Sequence, residues 1–226
     1  MTDDCRPPLQ KLLAEAAALP RLFISQWRKP IIAEPMGEPR PVLVIPGFLA
    51  NDVSTSLLRR TLSAAGCSAY GWHMGVNLGV RPETLERLGA RLDTIIAEAG
   101  GPVALVGWSL GGLYARELAK RRTEDVDLVI TLGTPFSGDL HANNAWRIYE
   151  RINDHKVDSP PVEVDLPVKP AVRTVALWSP RDGIVAPACT RGVEGEADER
   201  IELRCTHMGF AIDAEPLRTI VNLLRR

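Results

Sequence analysis

One serine in this chain is flanked in a way that suits a nucleophile. It lies in Gly107-Trp-Ser-Leu-Gly-Gly112, a Gly-x-Ser-x-Gly pattern. The four apolar residues 103–106 before it read as a short buried strand, and a helical run begins with Leu113, Tyr114 and Ala115. A serine at such a strand-to-helix turn sits on a tight, strained bend, its Oγ raised at the end of a sheet above a helix N-terminus. Gly107 and Gly111 let the strand and helix backbones approach without a Cβ between them. The chemistry this permits is attack by a hydroxyl, which needs a base to take its proton and a third group to orient that base.

Four histidines are available: His73, His141, His155 and His207. On a fold built around such a strand–serine–helix turn, the members of the set follow the order serine, acid, histidine. Only His207, in Cys205-Thr-His-Met-Gly-Phe210, follows the last strand candidate. For the acid, Asp182 in Trp178-Ser-Pro-Arg-Asp-Gly-Ile-Val185 leaves the penultimate strand, and Gly183 supports a tight turn. Asp139, one strand earlier, is the competitor; Asp182 is preferred because its strand neighbours the one that leads to His207. Asp182 as a turn residue bonding its own backbone is the structural alternative. Negative charge developing on an attacked carbonyl oxygen needs backbone N–H donors. Leu110, after the serine, offers one, and Phe48, in the Pro46-Gly-Phe48 loop after the first core strand, offers the other.

The elements that must position these groups alternate. Residues 7–28 read as one or two helices broken at Pro20, with Leu9, Leu12, Leu13 and Ala16 on one face. Residues 30–41 are an extended proline-rich connector. Strands are expected at 42–45, 68–73, 103–106, 126–133, 173–178 and 200–204. Helices are expected at 53–65 (capped by Asp52 or Ser54), 81–99, after Ser109, and at 214–224. This alternation defines an α/β fold with a mostly parallel sheet of about six strands and helices on both faces. Residues 136–170 interrupt the pattern. They contain an amphipathic piece at 144–152, with Trp146, Tyr149 and Ile152 on one side, and then a proline-rich return; a lid or a tacked-down surface loop would both fit.

With 45% hydrophobic and 24% charged residues and a net charge of −1, the 226-residue chain has the composition of one ordinary globular domain. It has no basic stripe for nucleic acid. The acidic opening Met1-Thr-Asp-Asp4 is the wrong charge for a secretory leader, and Glu15, Pro20 and Arg21 interrupt the first apolar stretch. A cytoplasmic protein without stable membrane insertion is therefore expected. Cys5, Cys67, Cys189 and Cys205 show no metal spacing, so no metal or cofactor is expected, although Cys189 and Cys205 flank the same late region and could meet.

Taken together, Val-Ile-Pro-Gly-Phe at 44–48, Gly-Trp-Ser-Leu-Gly-Gly at 107–112, Ser-Pro-Arg-Asp-Gly-Ile-Val at 179–185 and Thr-His-Met-Gly at 206–209 resemble the α/β-hydrolase superfamily, in its compact serine lipase/esterase type. The likeness covers residues 41–226 as the catalytic domain, with 1–40 as an N-terminal helical extension and linker. The resemblance implies a minimal α/β-hydrolase fold without the antiparallel leading hairpin. It also implies a Ser109–Asp182–His207 triad and hydrolysis of esters with small to medium apolar acyl groups through an acyl-enzyme. The short insertion favours a carboxylesterase over a large-capped lipase. Phe48, Trp108 and Trp146 are the expected substrate-binding side chains. Acyl transfer or thioester cleavage by the same groups, or a catalytically silent binding member of the fold, are the alternatives.

Overall fold

In the computed structural model, residues 6–31 and 37–226 are described; Cys5, the acidic opening and the middle of the connector lie outside them. Six parallel strands form one sheet: β1 (Pro41–Ile45), β2 (Ser68–Gly71), β3 (Val103–Trp108), β4 (Val126–Leu132), β5 (Arg173–Trp178) and β6 (Glu199–Glu202), in the order β2-β1-β3-β4-β5-β6. The central strands are near-continuous apolar runs because both of their faces are covered. Alternate residues divide between two cores. Val42, Val44, Ala104, Val106 and Trp108 pack with helices α2 (Ser56–Ala64) and α7 (Ala214–Leu224). Leu43, Ile45, Val103 and Leu105 pack with α3 (Pro82–Ala99) and α4 (Leu110–Arg121). The edge strands β2 and β6 are short and mostly half-exposed.

The expected elements are present, with local differences that have causes. Helix α1 (Leu9–Ile24) runs through Pro20 unbroken. Ala18 and Leu22, on either side of the proline, are both buried, so packing carries the continuity. The face it buries is Glu15, Ala18 and Leu22, while Leu9 and Leu13, of the apolar face read from the sequence, are 69% and 64% exposed. Helix α2 begins at Ser56 rather than at 53, and neither Asp52 nor Ser54 caps it. The Asp52 carboxylate instead accepts the N–H groups of Trp72 and His73, which follow β2. In the insertion, α5 (Trp146–Ile152) buries Tyr149 but leaves Ile152 exposed, so the expected three-residue face is not formed. A short helix, α6 (Pro187–Arg191), follows β5. Cys189 and Cys205 are buried thiols with no disulfide between them; Cys189 Sγ points to Asp139 O. Among the described residues no helix is long and apolar enough to cross a membrane, and no cluster of His, Cys, Asp and Glu is placed to hold a metal ion.

Candidate active site

Ser109 is one of three described non-glycine residues with positive φ; its φ and ψ are 54° and −122°. α4 starts at Leu110, three residues earlier than expected, because Gly112 N–H already donates to Ser109 O at 2.9 Å. Ser109 N–H donates to Leu132 O at 2.8 Å, which ties the bend to the end of β4. The glycines of the motif are spatial requirements. A Cβ on Gly111 would run into the carbonyls of Ile45 and Pro46, and one on Gly107 into the backbone of Gly111 and Gly112. The strain at Ser109 costs about 1–3 kcal/mol in typical cases, and the packed strand ends around it hold it in place.

Asp182 and His207 meet beside this bend. Asp182 is fully buried after β5, and its Oδ2 accepts the His207 Nδ1 proton at 2.7 Å. Its Oδ1 accepts the N–H groups of Ile184 and Val185, each at 2.8 Å, so both carboxylate oxygens are committed. The His207 ring is therefore held with Nδ1 toward the acid and Nε2 available. Asp139, the competing acid, accepts the His141 N–H and lies apart from His207. Burial on its own lowers the His207 pKa; the Asp182 carboxylate, and behind it Glu15, more than offset this and raise it above the ordinary 6.5. Among the described residues no hydrogen bond joins Ser109 Oγ to His207. They are tied through the neighbouring Trp108, whose Nε1–H donates to His207 O at 3.1 Å.

The Phe48 and Leu110 N–H groups have no acceptor among the described residues, Leu110 because a helix's first N–H groups have none within the helix. The Pro46–Ala50 loop that carries Phe48 is held by Asn77, a buried residue without a sequence signal. Asn77 Nδ2 donates to Pro46 O at 2.9 Å, its N–H donates to Ala50 O, and its carbonyl accepts the Leu49 N–H at 2.7 Å.

An apolar cavity of about 100 Å³ opens at Ser109, with Phe48, Leu110 and Trp146 among its walls. Trp108 does not line it. Strand alternation sends that ring to the opposite face of the sheet, where it is buried and braces His207. The insertion contributes Tyr149, Val157, Val162 and Leu166 to the cavity. Its proline-rich return is fastened by Arg116 of α4, which is 1% exposed. The Arg116 guanidinium lies 4.3 Å from the Phe136 ring centroid and donates to the carbonyls of Leu166, Pro167, Val168 and Glu196. Burial lowers its pKa to about 10, which leaves it charged at neutral pH.

A six-stranded parallel sheet with helices on both faces and a strained serine between β3 and α4 is an α/β-hydrolase fold, and the chain belongs to that fold. Among solved structures it is similar to a Bacillus licheniformis lipase in its mature form, at 16% identity over 86% of this chain and 95% of that one, with a TM-score of 0.60. A monoacylglycerol lipase of Paleococcus ferrophilus gives 18% identity over 83% and 96%, with a TM-score of 0.57. The thioesterase domain from the curacin biosynthetic pathway gives 15% over 85% and 93%, also with a TM-score of 0.57. No protein-family model and no curated protein matches the chain.

Proposed function

We propose that the chain is a serine hydrolase that cleaves carboxylic esters of short apolar acyl groups through an acyl-enzyme. The observation that carries this reading is the buried Asp182–His207 pair beside a strained serine at the mouth of an apolar cavity. In the first half-reaction His207 Nε2 takes the Ser109 Oγ proton as Oγ attacks the ester carbonyl; this contact commonly closes only with substrate in place. The carbonyl oxygen, now negative, is met by the Phe48 and Leu110 N–H groups. The tetrahedral intermediate collapses as His207 passes its proton to the leaving alkoxide, and the alcohol departs. Water, deprotonated by the same nitrogen, then attacks the acyl-enzyme; the acid leaves and Ser109 regains its proton. Asp182 orients the imidazole through Nδ1 and stabilises the imidazolium as it forms.

The cavity argues for short acyl chains. It is small, about 100 Å³, and walled mainly by apolar side chains. The lipase and thioesterase neighbours support a hydrolytic reading only through their shared fold. The test is fluorophosphonate labelling together with an ester series: Ser109 is expected to be labelled, and p-nitrophenyl butyrate to be turned over faster than the laurate. A chain that stays unlabelled and cleaves neither ester belongs to the silent members of the fold.

The pH dependence follows from the histidine. Neutral imidazole is the form that accepts the serine proton, so kcat/KM is expected to fall as pH drops through the His207 pKa. Because Asp182 and Glu15 raise that pKa, the midpoint of the acidic limb should lie above 6.5. A limb centred below 6.5 in a pH–rate profile contradicts this assignment.

A further inference from the structure

Helix α1 precedes the whole sheet, yet its Glu15 reaches the site. The side chain is 2% exposed. Glu15 Oε1 accepts the N–H of Gly183 at 2.9 Å and that of His207 at 2.6 Å. Its Oε2 accepts the N–H of Met208 at 3.0 Å. One carboxylate thus satisfies three backbone donors from two loops, the one carrying Asp182 and the one carrying His207. Those of Gly183 and His207 would otherwise be buried, unpaired N–H groups, and that of Met208 is half-buried. The approach is close because position 183 is glycine; a Cβ there would meet the Lys11 carbonyl and, at 2.8 Å, Glu15 Cγ.

The docking is reinforced around this point. Asn144 Nδ2 donates to both Pro7 O and Gly183 O, joining the start of α1, the insertion and the acid loop. At the other end Arg21 pairs with Asp213, and Arg28 donates to Ile212 O, just beyond the histidine loop.

We infer that Glu15 is a positioning residue of the proposed hydrolase: its carboxylate clamps the acid loop to the histidine loop and fixes the distance between Asp182 and His207. Helix α1 is then part of the working site rather than an extension of it. The inference rests on reading Ser109, Asp182 and His207 as the reacting groups. Two carboxylates act on the imidazole, Asp182 from the loop after β5 and Glu15 from α1; the neighbouring Cys205 thiol is pushed up by its burial and then by Asp213, Asp182, Glu215 and Glu15. Loss of the Glu15 charge therefore has a signature of its own, separate from any loss of packing.

The experiment is Glu15→Gln, which keeps the shape but must turn an NH₂ toward at least one of the three N–H groups. Misplacement of a reacting group by about 1 Å costs about 100-fold in rate, so kcat is expected to fall 10- to 100-fold with KM changed by no more than about twofold. In a Ser109→Ala background, where no turnover is needed, the His207 imidazole followed by NMR should titrate at lower pH once Glu15 is Gln. Unchanged kcat together with an unchanged titration would overturn the inference. If Glu15→Gln does not fold, wild-type amide exchange decides: Gly183, His207 and Met208 should be protected and open together, and fast or unrelated exchange at the three overturns it. Should the ester-hydrolase reading itself fail, kcat is lost as a readout. The titration and the exchange still report on Glu15, so the two failures are distinguishable.

Discussion

Ser109→Ala is expected to lower kcat on p-nitrophenyl butyrate by about a millionfold, as removal of a triad serine does elsewhere. Ser109→Gly should lose as much activity and yet yield a more stable protein. The reasoning lies in the backbone. At φ 54° and ψ −122° the serine Cβ is held in a region that side chains avoid. Relief of that strain gains about 1–3 kcal/mol. Glycine's extra freedom in the unfolded chain takes back about 0.5–1 kcal/mol. The net expectation is a gain of about 1 kcal/mol, read as a shift in the denaturant midpoint, whereas alanine keeps its Cβ and should match the wild type. A glycine variant less stable than the alanine variant would mean that the bend at 109 carries no strain, and the structural case for a raised nucleophile would go with it.

Asp182→Asn is the second large effect, with an expected loss of about 10⁴-fold in kcat. The side-chain shape is kept, so the loss follows from counting donors and acceptors. Asp182 accepts at both oxygens: one takes the His207 Nδ1 proton and the other two backbone N–H groups. Asparagine has one acceptor and one donor group. Turned one way, its NH₂ faces Nδ1 and forces the proton onto Nε2, where the base must be empty. Turned the other way, the NH₂ faces the N–H groups of Ile184 and Val185 and the loop must move. Both arrangements disable the base. Asp139→Asn touches neither group and should change kcat by less than about threefold. If the two variants exchange these effects in parallel kinetics, the acid belongs one strand earlier.

Much of this was legible in the sequence because the relevant signals are local. Continuous apolar runs marked the buried strands, and the glycines around Ser109 marked a turn that tolerates no Cβ. The order of Asp182 and His207 followed from the loops that leave successive strands. What was not legible depended on tertiary contact. Glu15 looks like a polar interruption in a leucine- and alanine-rich helix, and only the N–H groups of residues 183, 207 and 208, which donate to its carboxylate, account for its burial. Asn77 and Arg116 likewise act on backbone carbonyls distant in sequence, which leave no pattern. Trp108 is different. Its neighbours Ala104 and Val106 face the same way, so strand alternation already placed its ring across the sheet from Leu105 and the cavity.

The clamp at Glu15 also bears on how the protein comes to be active. The carboxylate and the two N–H groups it reaches in the histidine loop are separated by 192 and 193 positions, so this contact closes a loop spanning most of the chain. Contacts of such separation carry the ordering cost of everything between them and form after the local ones. A helix that precedes the whole sheet in the chain thus waits for partners that follow the last strand. Its buried face is complete only when the last strand has joined the sheet and the turn after it has formed. On the proposed reading of the site, the alignment of Asp182 with His207 is then tied to one of the longest-range contacts of the fold, whereas the bend at Ser109 rests on the adjoining ends of β3 and β4.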